Sequence, residues 1–134
     1  VIKNKTYVAV VDDDDSFARA IGRLLRASGF EVQTYSSAEA FLAATPQPEP
    51  DCLVLDVHLN GMSGLDLQRR LRELGNLIPI IFVTAHDAPG VREEATQAGC
   101  VAYLRKPVGR EALLEAVEKA LHPGRNAGAV TGNP

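Results

Sequence analysis

The sequence predicts an α/β fold: a doubly wound parallel sheet of five strands, order 2-1-3-4-5, with helices on both faces. Three observations carry that prediction. Short apolar runs alternate with amphipathic helical stretches along the chain, the pattern of repeated β-α units. Four of the apolar runs end in a polar group that could line one edge of a parallel sheet. The length, 134 residues, suits one domain and hardly two. Right-handed crossovers then leave 2-1-3-4-5 as the common order at this size.

The elements follow in order. Tyr7 to Val11 (YVAVV) is a buried strand closed by a block of acids. Ser16 to Ser28 is a helix with Phe17, Ala20, Ile21, Leu24 and Leu25 at helical spacing, stopped by Gly29. Glu31 to Tyr35 alternates as a strand does. Ser36 and Glu39 stand at capping-box spacing, so a helix carrying Phe41 and Leu42 is predicted to begin there. Thr45 to Pro50 (TPQPEP) must be a loop. Cys52 to Leu55 is a buried strand ending at Asp56. The glycine-bearing loop HLNGMSG leads into a helix over Gly64 to Leu74 that buries Leu67, Leu71 and Leu74. Ile80 to Val83 is an apolar strand ending at Thr84. Pro89 to Ala98 is a polar helix with proline near its first turn, closed by Gly99. Val101 to Leu104 is a short strand followed by Arg105, Lys106 and Pro107. Arg110 to Leu121 is the last amphipathic helix. The domain is expected over 1–122, with 123–134 a flexible tail or the start of a linker.

Composition narrows the function. Hydrophobic residues make up 46% of the chain, enough for one core, and without tryptophan that core must be largely aliphatic. A net charge of -3 with no basic run argues against direct binding of nucleic acid. No apolar stretch approaches the roughly 20 residues of a membrane span. Cys52 and Cys100 lack metal-site or redox spacing and are expected to be reduced thiols near strand ends. A cytoplasmic protein is expected.

The chemistry sits at the strand ends. In the order 2-1-3-4-5 the first and third strands are neighbours at the switch point, so Asp12, Asp13 and Asp56 should converge, with Thr84 and Lys106 nearby. Converging carboxylates repel, so stability alone does not ask for them. Lys106 and a divalent cation are the candidate compensators, and carboxylate oxygens, a backbone carbonyl and water suit Mg²⁺. A carboxylate beside Mg²⁺ can attack phosphorus, because the metal and the lysine neutralise the phosphoryl oxygens. The set looks like machinery for an aspartyl phosphate. Each residue also has a plainer reading. Asp14 and Asp15 suit the cap and first turn of the first helix, and Asp12 or Asp13 alone could serve the same purpose. Thr84 alone is an ordinary strand-end threonine, Lys106 an ordinary surface lysine and Tyr103 ordinary core packing. His58 and His86 fit no zinc spacing and suit a pocket rim.

At this point the sequence resembles the receiver domains of bacterial two-component response regulators, the CheY-like superfamily. The matching segments are VVDDDD, LVLDVHLNGMSG, FVTAH and YLRKP, in order and spread over roughly residues 6 to 122. The resemblance implies a flavodoxin-like receiver fold with Asp56 as phosphoacceptor. It implies Mg²⁺ held directly by Asp13, largely through water by Asp12, by Asp56, and by the backbone carbonyl of His58. Thr84 and Lys106 would contact the phosphoryl group, and Tyr103 would be the aromatic that rotates inward when Thr84 moves. Lys106–Pro107 matches a bond usually cis in the family. His58 and His86 match positions that tune how water attacks the acyl phosphate. Asn60 stands where many receivers carry proline, and Val108 where many carry phenylalanine.

The implied partners are a sensor histidine kinase or phosphotransfer protein, a second copy through the fourth-helix, fifth-strand, fifth-helix face, and an effector domain beyond the C-terminus. On this reading the chain is a phosphoacceptor switch that assists its own phosphorylation and dephosphorylation, not a turnover enzyme. A haloacid-dehalogenase-like phosphatase shares the Asp, Mg²⁺, Thr and Lys, but it needs an acidic cluster on a strand after the lysine, and only a helix and tail follow Lys106. A flavodoxin-like nucleotide binder needs a Gly, Ser or Thr-rich loop where this chain has four aspartates. A degenerate receiver serving only as an interaction module would not need every chemical group, and all are present.

Overall fold

The protein is described here by a computed structural model, which covers residues 5–44 and 49–122. Most of the loop expected at Thr45 to Pro50 and the whole tail expected at 123–134 lie outside those residues. Ten elements alternate: β1 (Tyr7–Val11), α1 (Asp15–Ala27), β2 (Glu31–Tyr35), α2 (Ala38–Ala44), β3 (Cys52–Asp56), α3 (Gly64–Glu73), β4 (Ile80–Thr84), α4 (Val91–Gln97), β5 (Ala102–Arg105) and α5 (Arg110–Leu121). The strands form one sheet in the order β2-β1-β3-β4-β5, and every pairing is parallel. The predicted topology is therefore the observed one.

The sheet is covered on both faces, which is why its central strands are continuous apolar runs. Every residue of β1, β3 and β4 is buried. On one face Val8, Val10, Val54, Ile81 and Val83 pack with Ile21 and Leu25 of α1 and Leu113 and Val117 of α5. On the other, Ala9, Leu53, Leu55, Ile80, Phe82 and Tyr103 meet Phe41 of α2, Leu67 and Leu71 of α3 and Ala95 of α4. Burying a side chain such as Leu25 fully contributes about 2–3 kcal/mol.

Several helix details differ from the sequence reading. In α1 the inner stripe is Ala18, Ile21, Gly22 and Leu25, while Ala20 is exposed. Its N-cap is Asp14, whose carboxylate accepts from the Phe17 N–H at 3.1 Å. Helix α2 is capped by Ser37 rather than Ser36, through the Ala40 N–H at 3.0 Å. The capping box lies instead at α3, between Ser63 and Asp66. Leu74, expected inside, is 60% exposed, because α3 ends at Glu73 and Leu74 is already its C-cap. Pro89 precedes α4, whose N-cap is Gly90 at φ 84°, a conformation that would strain any other residue. Helix α4 buries only Ala95. Cys52 is buried, Cys100 is half-buried, and both are free thiols.

Candidate functional site

Parallel pairing brings all strand C-termini to one edge. Register places Val11 of β1 opposite Leu55 of β3, so the next residues, Asp12 and Asp56, emerge side by side. Asp12, Asp13 and Asp56 each offer a carboxylate oxygen within 4.8 Å of the others, and Asp12 and Asp56 are buried. Lys106, just past β5, reaches in beneath a cis Lys106–Pro107 bond. Its Nζ lies 2.9 Å from Asp12 Oδ2 and 3.4 Å from Asp56 Oδ2. The contact with Asp12 is a buried ion pair.

Backbone donors orient the acids. The Asp14 N–H donates to Asp12 Oδ1 at 2.9 Å, and the His58 N–H donates to Asp56 Oδ1 at 3.0 Å. The Asn60 N–H donates to Asp13 Oδ2 at 3.3 Å, a bond that a proline at position 60 would lack. Val108 is half-buried and packs against the α1–α5 face of the core.

Three carboxylates against one ammonium leave two negative charges uncompensated. Burial, with Asp56 adding to it, pushes Asp12 up to about 6, against the pull of Lys106 and of the Asp14 N–H. Burial also works against the Lys106 ammonium, but Asp12 and Asp56 outweigh it and hold that pKa above the ordinary lysine value. A hard divalent cation has the charge and oxygen preference this donor set needs.

The remaining candidates sit on β4, β5 and the loops after β3 and β4. Thr84 is fully buried at the end of β4, and its hydroxyl serves its own turn. It donates to the His86 carbonyl at 2.7 Å and accepts from the His86 N–H at 3.1 Å. By strand alternation Thr84 shares a sheet face with Phe82 and, one strand over, Tyr103. Tyr103 is buried, its ring 6.5 Å from that of Phe82 and 5.3 Å from the Arg92 guanidinium. Its hydroxyl is buried with no hydrogen-bond partner among the described residues. His58 and His86 are exposed, their rings 6.1 Å apart, with His58 Nε2 3.3 Å from the His86 carbonyl.

Three contributors escaped the sequence reading. Gly64 opens α3 against the acceptor strand, where a Cβ would sit 2.2 Å from the Asp56 carbonyl oxygen. Glu39 of α2 accepts from the Met62 N–H at 2.8 Å and so holds the loop after β3. Phe17 presents its ring to Lys106, with Nζ 4.2 Å from the centroid. Of these, only the glycine left a sequence signal, as a small residue eight positions beyond the acceptor candidate.

The family described as the response regulator receiver domain matches residues 8–118. This chain is a member of that family. The receiver is 42% identical over 117 residues to the response regulator protein TmoT of Ectopseudomonas mendocina, covering 87% of this chain and 53% of that protein. It is 37% identical to the transcriptional regulatory protein FixJ of Rhizobium meliloti, covering 84% of this chain and 55% of FixJ. The chain thus spans about half the length of the curated relatives it matches. Among solved structures it resembles the response regulator StyR, with TM-score 0.82 and 40% identity over 96% of this chain and 66% of that one. It also resembles FixJ-N, with TM-score 0.81 and 35% identity over 90% of this chain and 96% of that one. Family membership decides against the phosphatase and the nucleotide binder weighed from the sequence. Among the described residues no helix is long and apolar enough to cross a membrane.

Proposed function

We propose that this receiver takes a phosphoryl group onto Asp56, in a Mg²⁺-dependent transfer from a sensor histidine kinase or phosphotransfer protein. The observation that carries this reading is the convergence of Asp12, Asp13 and Asp56 around a single ammonium, that of Lys106. Asp13, Asp56, the His58 carbonyl and, largely through water, Asp12 would hold the cation. Once bound, Mg²⁺ supplies positive charge to the phosphoryl oxygens.

The chain's own residues do the rest. The His58 N–H fixes one oxygen of Asp56 and so orients the carboxylate. A carboxylate oxygen forms the new bond to phosphorus while the bond to the donor's leaving group breaks, and the leaving group keeps that electron pair. Lys106, within 3.4 Å of Asp56, pairs with a phosphoryl oxygen. Thr84 donates its hydroxyl to another, and for that it must release the His86 carbonyl. That release loosens the turn ahead of α4, and Tyr103, on the same sheet face, adjusts to it. The phosphoryl group thereby shifts the population of two arrangements of the α4–β5–α5 face.

A changed face of this kind suits a second copy of the chain or an effector domain. That relatives about twice as long include a transcriptional regulatory protein supports an effector joined after residue 122, with 1–122 the receiver and 123–134 tail or linker. The same reading makes the chain a cytoplasmic switch and not a turnover enzyme, and puts His58 and His86 where they can tune the lifetime of the phosphorylated form.

Acetyl phosphate with Mg²⁺, followed by intact-mass measurement, tests the proposal. One hydroxylamine-labile phosphoryl group per chain is expected, none without Mg²⁺ and none in Asp56→Asn. Label retained by the Asn variant would put the acceptor elsewhere. No label on the wild-type chain would favour a receiver that works only as an interaction module.

A further inference from the structure

We infer that Phe17 is a positioning residue for the Lys106 ammonium; its functional consequence rests on the phosphotransfer reading above. Nζ lies 4.2 Å from the Phe17 ring centroid while Asp12 and Asp56 hold it at 2.9 and 3.4 Å. The ammonium therefore has two anionic partners and one aromatic face, with the lysine side chain only 13% exposed. The arrangement is built from the sequence outward. Asp14 caps α1 through the Phe17 N–H, which places Phe17 in the first turn, beside the pocket. The half-buried ring packs against the α1–α5 face of the core.

The ring matters because both carboxylate partners weaken during the reaction. Before transfer, a divalent cation draws on the charge of Asp12 and Asp56 while no phosphoryl oxygen has yet taken their place. A lysine with four rotatable stem bonds would then be free to leave for solvent. The ring's quadrupole attracts the ammonium whatever the charge state of the acids. It keeps Nζ within reach of the phosphoryl oxygen at the step where it is needed. An aliphatic side chain of similar size would exclude water but offer no such attraction.

The test replaces Phe17 in the whole chain with phenylalanines carrying increasing fluorine, which drains the quadrupole at nearly constant shape, and with Tyr and Leu. Two quantities are followed: the ring-current upfield shift of the Lys106 methylene next to Nζ, and the rate of phosphorylation by acetyl phosphate at saturating Mg²⁺. In the wild type that methylene should stand upfield of the other lysines. The rate should fall stepwise with fluorination, by roughly threefold to thirtyfold at the end of the series. Phe17→Leu should match the most fluorinated variant, and Phe17→Tyr the wild type. Thermal unfolding should not follow the fluorine order. A rate that stays flat across the series, or no upfield shift in the wild type, would overturn the inference. If the wild type takes no phosphoryl group, the phosphotransfer reading has failed. The positioning of Lys106 is then decided by the shift alone: progressive loss of the shift with fluorination supports it, and no change overturns it.

Discussion

Helices α1 and α4 each follow a strand that ends at the acidic edge, lie on opposite faces of the sheet and are built in opposite ways. Helix α1 has 13 residues, a side-chain cap from Asp14 and four buried residues, and its first turn presses on the acidic pocket. Helix α4 has seven residues, no side-chain cap, a glycine at φ 84° before it and Ala95 as its sole buried residue. Its outer surface is tied to α3 by Arg69, which bonds Glu94 at 2.7 Å and also pairs with Asp66. The chemistry of the pocket needs charges held in place. An output element needs two arrangements close in free energy, and weak local packing supplies that. On the phosphotransfer reading proposed above, rigidity is concentrated where the acids converge and withheld where the surface would change.

The largest expected effect tests the rigid side. Gly64→Ala forces a methyl group against the Asp56 carbonyl, where the gap is 2.2 Å and the obstacle is backbone. A loss of roughly 3 kcal/mol in urea unfolding is expected. A near-neutral result would mean that the acceptor strand yields easily, and the contrast with α4 would lose its basis.

A smaller effect comes from Asp12. Its pKa in the folded protein is about 6, above the ordinary carboxylate value near 4, so the folded state binds the proton more tightly. The stabilisation from that proton is complete below about pH 4 and lost as pH rises through about 6. Metal-free wild type should therefore lose on the order of 1–2 kcal/mol over that window relative to Asp12→Asn, and Mg²⁺ should bind more tightly as pH rises through it. Parallel pH profiles for the two proteins would show that Asp12 is not the strained charge of the pocket.

The smallest effect sharpens the other side. Glu94→Ala removes an ion pair whose partners are both about half exposed, so global stability should change by less than about 0.5 kcal/mol. Amide exchange in α4 should nevertheless quicken while that of α1 stays as it was. Unchanged exchange in α4 would mean that Arg69 is not what steadies it.

Much of this was legible in the residues. Apolar runs bounded by turn residues disclosed the strands, and helical spacing disclosed the helices, because burial on one face imposes a period on the sequence. The acids and the lysine were legible because each stands at a strand end, and a parallel sheet gathers strand ends on one edge. Helix ends were less legible. Ser36 and Ser37 are equivalent in composition, and their geometry decides which one caps. Leu74 reads as a third inner leucine, but α3 stops one residue before it.

By itself, then, the sequence determined the order of the elements, the sheet and the meeting of Asp12, Asp13, Asp56 and Lys106 at one edge, since these depend on local period and on strand termini. Only the tertiary structure decided which groups meet across distant segments. The Asn60 N–H meets Asp13, Glu39 meets the loop after β3, Gly64 meets the Asp56 carbonyl, and Phe17 meets Lys106. Contacts of that kind depend on how helices pack over the sheet. Packing is set by the shapes of many side chains at once, and no short stretch of sequence contains that information.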